Sequence, residues 1–201
     1  MSYYCLVMTK PATKTLPTLS FETQKHWEKW LAKNFATSDG IWLKIEKKDS
    51  SKSSVTYAEA LDVAICFGWI DGQKNVGDQS SWLQKFTPRR AKSGWSKRNT
   101  EHVERLAKDG KMQPSGLAAV DAAKKDGRWH SAYESQKNSV IPEDFLKELS
   151  RDKKALAFFK SLNKANLYAI AYRLQTAVKP ETRQKRMKAI LEMMKKGQKF
   201  H

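Results

Sequence analysis

The stretch Phe67 to Asn99, FGWIDGQKNVGDQSSWLQKFTPRRAKSGWSKRN, constrains the fold more than any other part of this chain. It holds three of the seven tryptophans (Trp69, Trp82, Trp95) and four of the nine glycines (Gly68, Gly72, Gly77, Gly94), and Pro88 leads the pair Arg89-Arg90. Packing alone favours Leu, Ile and Val. Alternating aromatic, glycine and arginine instead reads as a surface made to hold something flat or anionic, with the rest of the chain as a helical frame around it.

At 201 residues the chain can bury a substantial core. We expect one domain over residues 20–196, with a flexible leader at 1–19, a basic helical C-terminal subdomain at 151–196 and a tail at 197–201. The formal net charge of +17 points to polyanions as partners. Its distribution says more than its total. Residues 79–100 carry six Lys or Arg and no acid, and residues 151–201 carry 14 basic and three acidic residues. If these two regions meet, they make one basic surface. Cys5 and Cys66 lack the spacing of a disulfide framework or a metal site, and Cys66 reads as a small apolar residue buried on a helix. The run Tyr3 to Met8 is too short for a signal segment, and no stretch approaches the ~20 apolar residues of a membrane span. The expected location is the cytoplasm.

Read in order, Ser20 is an N-cap candidate for a helix on which Trp27, Trp30 and Leu31 recur at helical spacing as core anchors. After Gly40, IWLKIEKK alternates as a half-buried strand. Thr56 and Glu59 form a capping box for a helix through Cys66. Trp69 to Gly72 and Ser81 to Thr87 read as two further strands, antiparallel to each other, with Pro88 ending the ladder. Ser96 or Asn99 caps the next helix. Pro114 and Gly127 bracket another, Pro142 opens one through Leu149, Lys153 to Phe159 forms one, and Asn163 caps the next. Lys179-Pro180 breaks the chain before a last helix showing Arg183, Lys185, Lys188 and Lys195 on one face. The fold class is therefore α+β and predominantly helical, with about seven to eight helices around a small, about three-stranded antiparallel sheet.

The segments GIWLKIEKK, TYAEALDVAICFGWIDGQ, FTPRRAKSGWSKRN, VERLAKDGKMQPSGLAAVDAAKKDGRW and KPETRQKRMKAILEMM resemble the YdeI/OmpD-associated family of small bacterial proteins, from about Phe21 to Lys196. The resemblance implies a role in bacteriocin protection, meaning tolerance of antimicrobial peptides, and brings no reaction and no cofactor with it. By motif, Trp69, Asp71, Arg89, Arg90, Ser93, Trp95, Ser96 and Asn99 match the family pattern. Gly94 departs from it, since members often carry a bulkier residue there, and its absence loosens this loop.

Catalytic templates are missing: there is no G-x-S-x-G elbow, no phosphate-binding G-x-x-x-x-G-K-[ST] loop, no G-x-G-x-x-G after a strand and no H-E-x-x-H. His26, His102, His130 and His201 are scattered, so no metal is expected. Asp71 is the best acid/base candidate, its alternative being a turn former or an ion-pair partner of the arginines. Arg89 and Arg90, beside Ser93, Ser96 and Trp95, have the forked donors to grip a phosphate or carboxylate while an indole stacks on a ring. Three readings stay open: a binding protein for a small anionic ligand or an acidic peptide, a nucleic-acid binder using the basic C-terminal helices, and an enzyme acting on a phosphorylated or carboxylated substrate.

Overall fold

The computed structural model describes residues 15–201. Most of the expected leader, Tyr3 to Met8 and Cys5 included, lies outside the described residues. Strand β1 (Thr18–Ser20) opens the fold, followed by α1 (Gln24–Asn34), β2 (Ile41–Glu46), α2 (Tyr57–Cys66), β3 (Trp69–Val76) and β4 (Ser81–Pro88). The remainder is helical: α3 (Lys97–Lys108), α4 (Pro114–Lys125), α5 (Glu143–Leu149), α6 (Lys153–Lys160), α7 (Lys164–Gln175) and α8 (Pro180–Lys195).

The four strands form one sheet in the order β1-β2-β4-β3. The β2–β4 and β3–β4 pairs are antiparallel, as alternation and the intervening turn predict. The sheet has four strands rather than three, and it is mixed, because β1 runs parallel to β2 with Thr18 opposite Trp42. Three residues of parallel pairing carry no local periodicity that a sequence could display. Ser20 accordingly ends a strand, and Thr23 caps α1 by accepting from the His26 backbone N–H at 3.3 Å.

Between β3 and β4 the register shifts at Asp71/Lys74. Gln84, 4 % exposed, fills the shift by donating from Nε2 to the Gly72 carbonyl at 2.9 Å. This is how a polar residue in an otherwise apolar strand stays buried without an orphaned amide. At the hairpin tip the Asp78 carboxylate takes Lys44 Nζ at 2.8 Å, Ser81 Oγ at 2.8 Å and the Ser80 backbone N–H at 2.9 Å. The Lys44 hydrogen bond first, then that from Ser81, holds this carboxyl far below the usual range. A depressed pKa gives a contribution that is complete above the unfolded value, about 3.9, and is lost as pH falls through the lower folded value. We expect the Asp78 carboxyl carbon resonance to keep its ionised position at about pH 3, where ordinary Asp and Glu side chains are largely protonated. Lys44→Gln should bring its titration back toward the ordinary range, and an Asp78 that titrates with the rest disproves the clamp.

Burial divides the molecule into two apolar clusters. The first joins α1, α2, α3, α4 and the sheet around Trp27, Leu43, Phe86 and Trp69. The second joins α5 to α8 around Phe145, Leu149, Ile170 and Met194. The helix signals act locally and appear where the sequence predicts them: the Thr56–Glu59 capping box, Ser96 as cap of α3, Pro114 in the first turn of α4 and Asn163 as cap of α7. Cys66 is buried as expected, and burial pushes its thiol up to about 11, which disfavours the thiolate at neutral pH.

Candidate functional site

The loop between β4 and α3 begins where Pro88 ends the ladder. Arg89 anchors through its backbone N–H to the Gly68 carbonyl at 3.0 Å, and Arg90 and Ser93 close a tight turn by exchanging two hydrogen bonds. The chain then drops into the core at Trp95, only 1 % exposed, which packs on Trp129 with centroids 5.2 Å apart. A segment of the α4–α5 connection crosses it. Tyr133 donates its backbone N–H to the Trp95 carbonyl at 3.0 Å and accepts from the Lys97 N–H at 2.9 Å.

The eight residues expected to share one surface are divided by this arrangement. Trp69 is a core residue, donating its Nε1–H to the Phe35 carbonyl at 3.1 Å and standing edge-on to Trp27 and Trp30. Asn99 is buried in α3, Ser96 is spent as its cap, and Arg90 is exposed. The reading of Trp69 and Trp95 as part of a surface that holds a ligand is therefore corrected: both are sealed, because a surface this large is worth more inside the core than at a rim. Asp71 accepts a hydrogen bond from the Tyr57 hydroxyl at 2.8 Å. It makes no direct pair with either arginine among the described residues. Burial, and then the Asp71 charge, push the Tyr57 phenol well above its usual range.

Arg89 and Trp95 do come together. The guanidinium carbon lies 3.4 Å from the centroid of the Trp95 ring, and Nη1 donates to the Gly94 carbonyl at 3.0 Å. Arg89 Nε and Nη2 and Trp95 Nε1 are enclosed and have no hydrogen-bond partner among the described residues. Burial pulls the Arg89 guanidinium down to about 10, against the raising influence of Tyr133 and Asp71.

Beside this loop lies an open cleft of about 570 Å³. Lys92, Gly94 and Arg128 form one wall, and Tyr172, Arg173 and Arg186 of α7 and α8 the other, over an apolar floor of Ile190 and Met193. The basic stretch 79–100 and the basic C-terminal quarter thus meet, and no acidic side chain lines the cleft among the described residues. Its arginines are braced by backbone oxygens. Arg128 donates to Ser93 at 2.7 Å, Arg173 to Ala169 at 3.2 Å, and Arg186 to Arg173 at 2.8 Å. Only Arg128 among the four cations has a carboxylate partner among the described residues, Asp126 at 2.7 Å. Lys92, Arg128, Arg173 and Arg186 were not among the expected site residues. The Arg-Trp-His loop at 128–130 and the tyrosines Tyr168 and Tyr172, one helical turn apart, were the available signals.

A larger cleft of about 750 Å³ is lined by Glu22, Glu28, Glu59 and Asp62. Its acids are partly occupied, with Glu59 closing the capping box and Asp62 bound to His102 and Arg105. On α8, the basic face is likewise interrupted: Arg183 pairs with Asp144 and Lys195 with Glu192, leaving Lys185 and Lys188 exposed. No described helix is long and apolar enough to cross a membrane.

Comparison with family models gives one match on each side of the division between the two clusters. Residues 19–119 match a domain of unknown function (DUF8412), and residues 138–197 match the family described as Bacteriocin-protection, YdeI or OmpD-Associated. The chain belongs to the DUF8412 family, and its C-terminal segment is similar to the YdeI/OmpD-associated family over residues 138–197. The YdeI/OmpD-associated match, expected over Phe21 to Lys196, covers α5 to α8 and the second cluster. The DUF8412 match covers the sheet, α1 to α3 and the start of α4. Neither the curated proteins nor the solved structures compared with the chain gave a match. The cleft is walled by Lys92 and Gly94 of the DUF8412 segment and by α7 and α8 of the YdeI/OmpD-associated segment.

Proposed function

We propose that the protein is a cytoplasmic binding protein for a small anionic ligand or the acidic side chains of a peptide, acting in bacteriocin or antimicrobial-peptide tolerance. The cleft between its two halves is the binding site. One observation carries the reading: cations from both halves converge on a hollow that no carboxylate lines among the described residues. Lys92, Arg173 and Arg186 have no carboxylate partner among the described residues, so an arriving anion displaces no existing counter-charge there. Tyr172 and Phe200 on the walls, with the apolar floor, suit a ligand that carries a ring or short aliphatic part behind its charge.

Calorimetric titration with inorganic phosphate and with glutarate at low salt tests this. A charge-assisted contact is worth about 1.5–3 kcal/mol, so Lys92→Gln and Arg186→Gln should each weaken binding by about tenfold or more. Binding should also weaken as salt rises, because the cleft is open to solvent. Lys92 is exposed and has no structural bond among those described, so a loss in that variant is not a folding defect. Unchanged affinity in both variants removes the cleft as the site.

A further inference from the structure

The cleft leaves the three orphaned nitrogens behind its wall unexplained. Arg89 uses Nη1 on the Gly94 carbonyl, while its Nε and Nη2 have no acceptor among the described residues. Those two lie on the same edge of a guanidinium, where their N–H bonds point the same way and match the two oxygens of a carboxylate or phosphate. The third orphan, Trp95 Nε1, belongs to the ring on which that guanidinium is stacked at 3.4 Å, and Trp95 is 1 % exposed. Buried donors in folded proteins are almost always paired, so three on one stacked pair are acceptor-starved.

The charge is as poorly matched as the donors. Asp71 is near enough to act on the Arg89 charge, yet its hydrogen bond goes to Tyr57, and Arg128 acts on Arg89 with the opposite sign. A water molecule can accept hydrogen bonds but brings no negative charge. An oxyanion brings both. We propose that Arg89 and Trp95 form an enclosed receptor for one oxyanion group, a carboxylate or a phosphate, held side-on by Arg89 Nε and Nη2 and separate from the open cleft. Gly94, whose carbonyl takes Arg89 Nη1, stands beside it, with the Tyr133 ring 3.5 Å from where a Gly94 Cβ would stand. Entry therefore requires the 89–96 loop to open.

The test is nuclear magnetic resonance of the full-length, ¹⁵N-labelled protein, reading the arginine Nε–H and tryptophan Nε1–H signals. Arg89→Lys and Trp95→Phe assign the two resonances. Inorganic phosphate and acetate are titrated separately at constant ionic strength. Saturable movement of both signals is expected with at least one anion, and the stronger of the two tells a phosphorylated from a carboxylated ligand. It should persist in a Lys92→Gln/Arg186→Gln double variant, whose cleft is disabled. Arg89→Lys keeps the charge but loses the two-pronged edge, and should weaken the anion's effect on Trp95 at least tenfold. No saturable shift in the native protein with either anion overturns the proposal, whether or not Arg89→Lys folds. Loss of the shift in the cleft double variant overturns it too, since the signals then report only the cleft. If the Arg89 signal responds while cleft variants leave calorimetric binding unchanged, the cleft reading falls and this one stands.

Discussion

Trp27→Ala should cost about 3–5 kcal/mol, which is a large part of the roughly 5–15 kcal/mol that holds a domain together. Trp27 is fully buried and its ring contacts Phe21, Trp30, Trp69 and Phe86, so it is the hub of the first apolar cluster. Its Nε1–H also meets the Ala60 carbonyl at 3.1 Å, tying α1 to α2. Truncation therefore removes apolar contact, leaves a cavity and deprives a buried carbonyl of its donor. Trp27→Phe should cost less, keeping most of the packing and losing the hydrogen bond. Urea unfolding followed by far-ultraviolet circular dichroism measures both. A loss below about 1 kcal/mol for the alanine variant, the scale of an average substitution, is inconsistent with a hub role.

The second large effect is expected from one added methyl group. Gly116 lies in the first turns of α4, and a Cβ there would stand 2.1 Å from the Cys66 carbonyl oxygen and 2.8 Å from its carbon. In a free helix, Gly→Ala stabilises by roughly 0.5–1 kcal/mol. Here the obstacle is main chain at the end of α2, which cannot rotate aside as a side chain could. The Gln113 N–H bond to that same carbonyl, at 3.1 Å, and the Ser115 hydroxyl bond to Phe67, at 3.0 Å, fix the spacing. Gly116→Ala should thus destabilise by about 3 kcal/mol, the upper end of overpacking costs. Gly110 is the control: it has φ +68° and nothing within 4 Å of a Cβ, so Gly110→Ala should cost only the roughly 1–2 kcal/mol of a left-handed alanine. Equal melting temperatures for Gly116→Ala and the native protein would contradict the close approach of α4 to α2.

What could be read in the sequence was whatever neighbouring residues settle among themselves. Thr56 with Glu59, Pro114, Asn163 and Lys179-Pro180 each satisfy or break a helix end within one turn, and each acts where it was expected. Strand β1 could not be read, because its partner β2 begins more than twenty residues later and supplies all its pairing. The tryptophans misled for a related reason. Composition says that an indole is present but not which side of the chain it faces, and Trp69 and Trp95 both face inward. Arg89 was legible as a residue of consequence, but its enclosure was not. The cleft was out of reach altogether: Lys92 and Arg186 lie 94 positions apart, and nothing local to either announces the other.

The Tyr133 crossing has a consequence for how this protein can change over time. Its two backbone hydrogen bonds fasten the α4–α5 connection across Ser96, so the joint beside the cleft is riveted by polypeptide rather than by any particular side chain. A seam fixed in this way leaves the residues that face solvent free to turn over. The cations that line the groove can be exchanged while this backbone seam stays put.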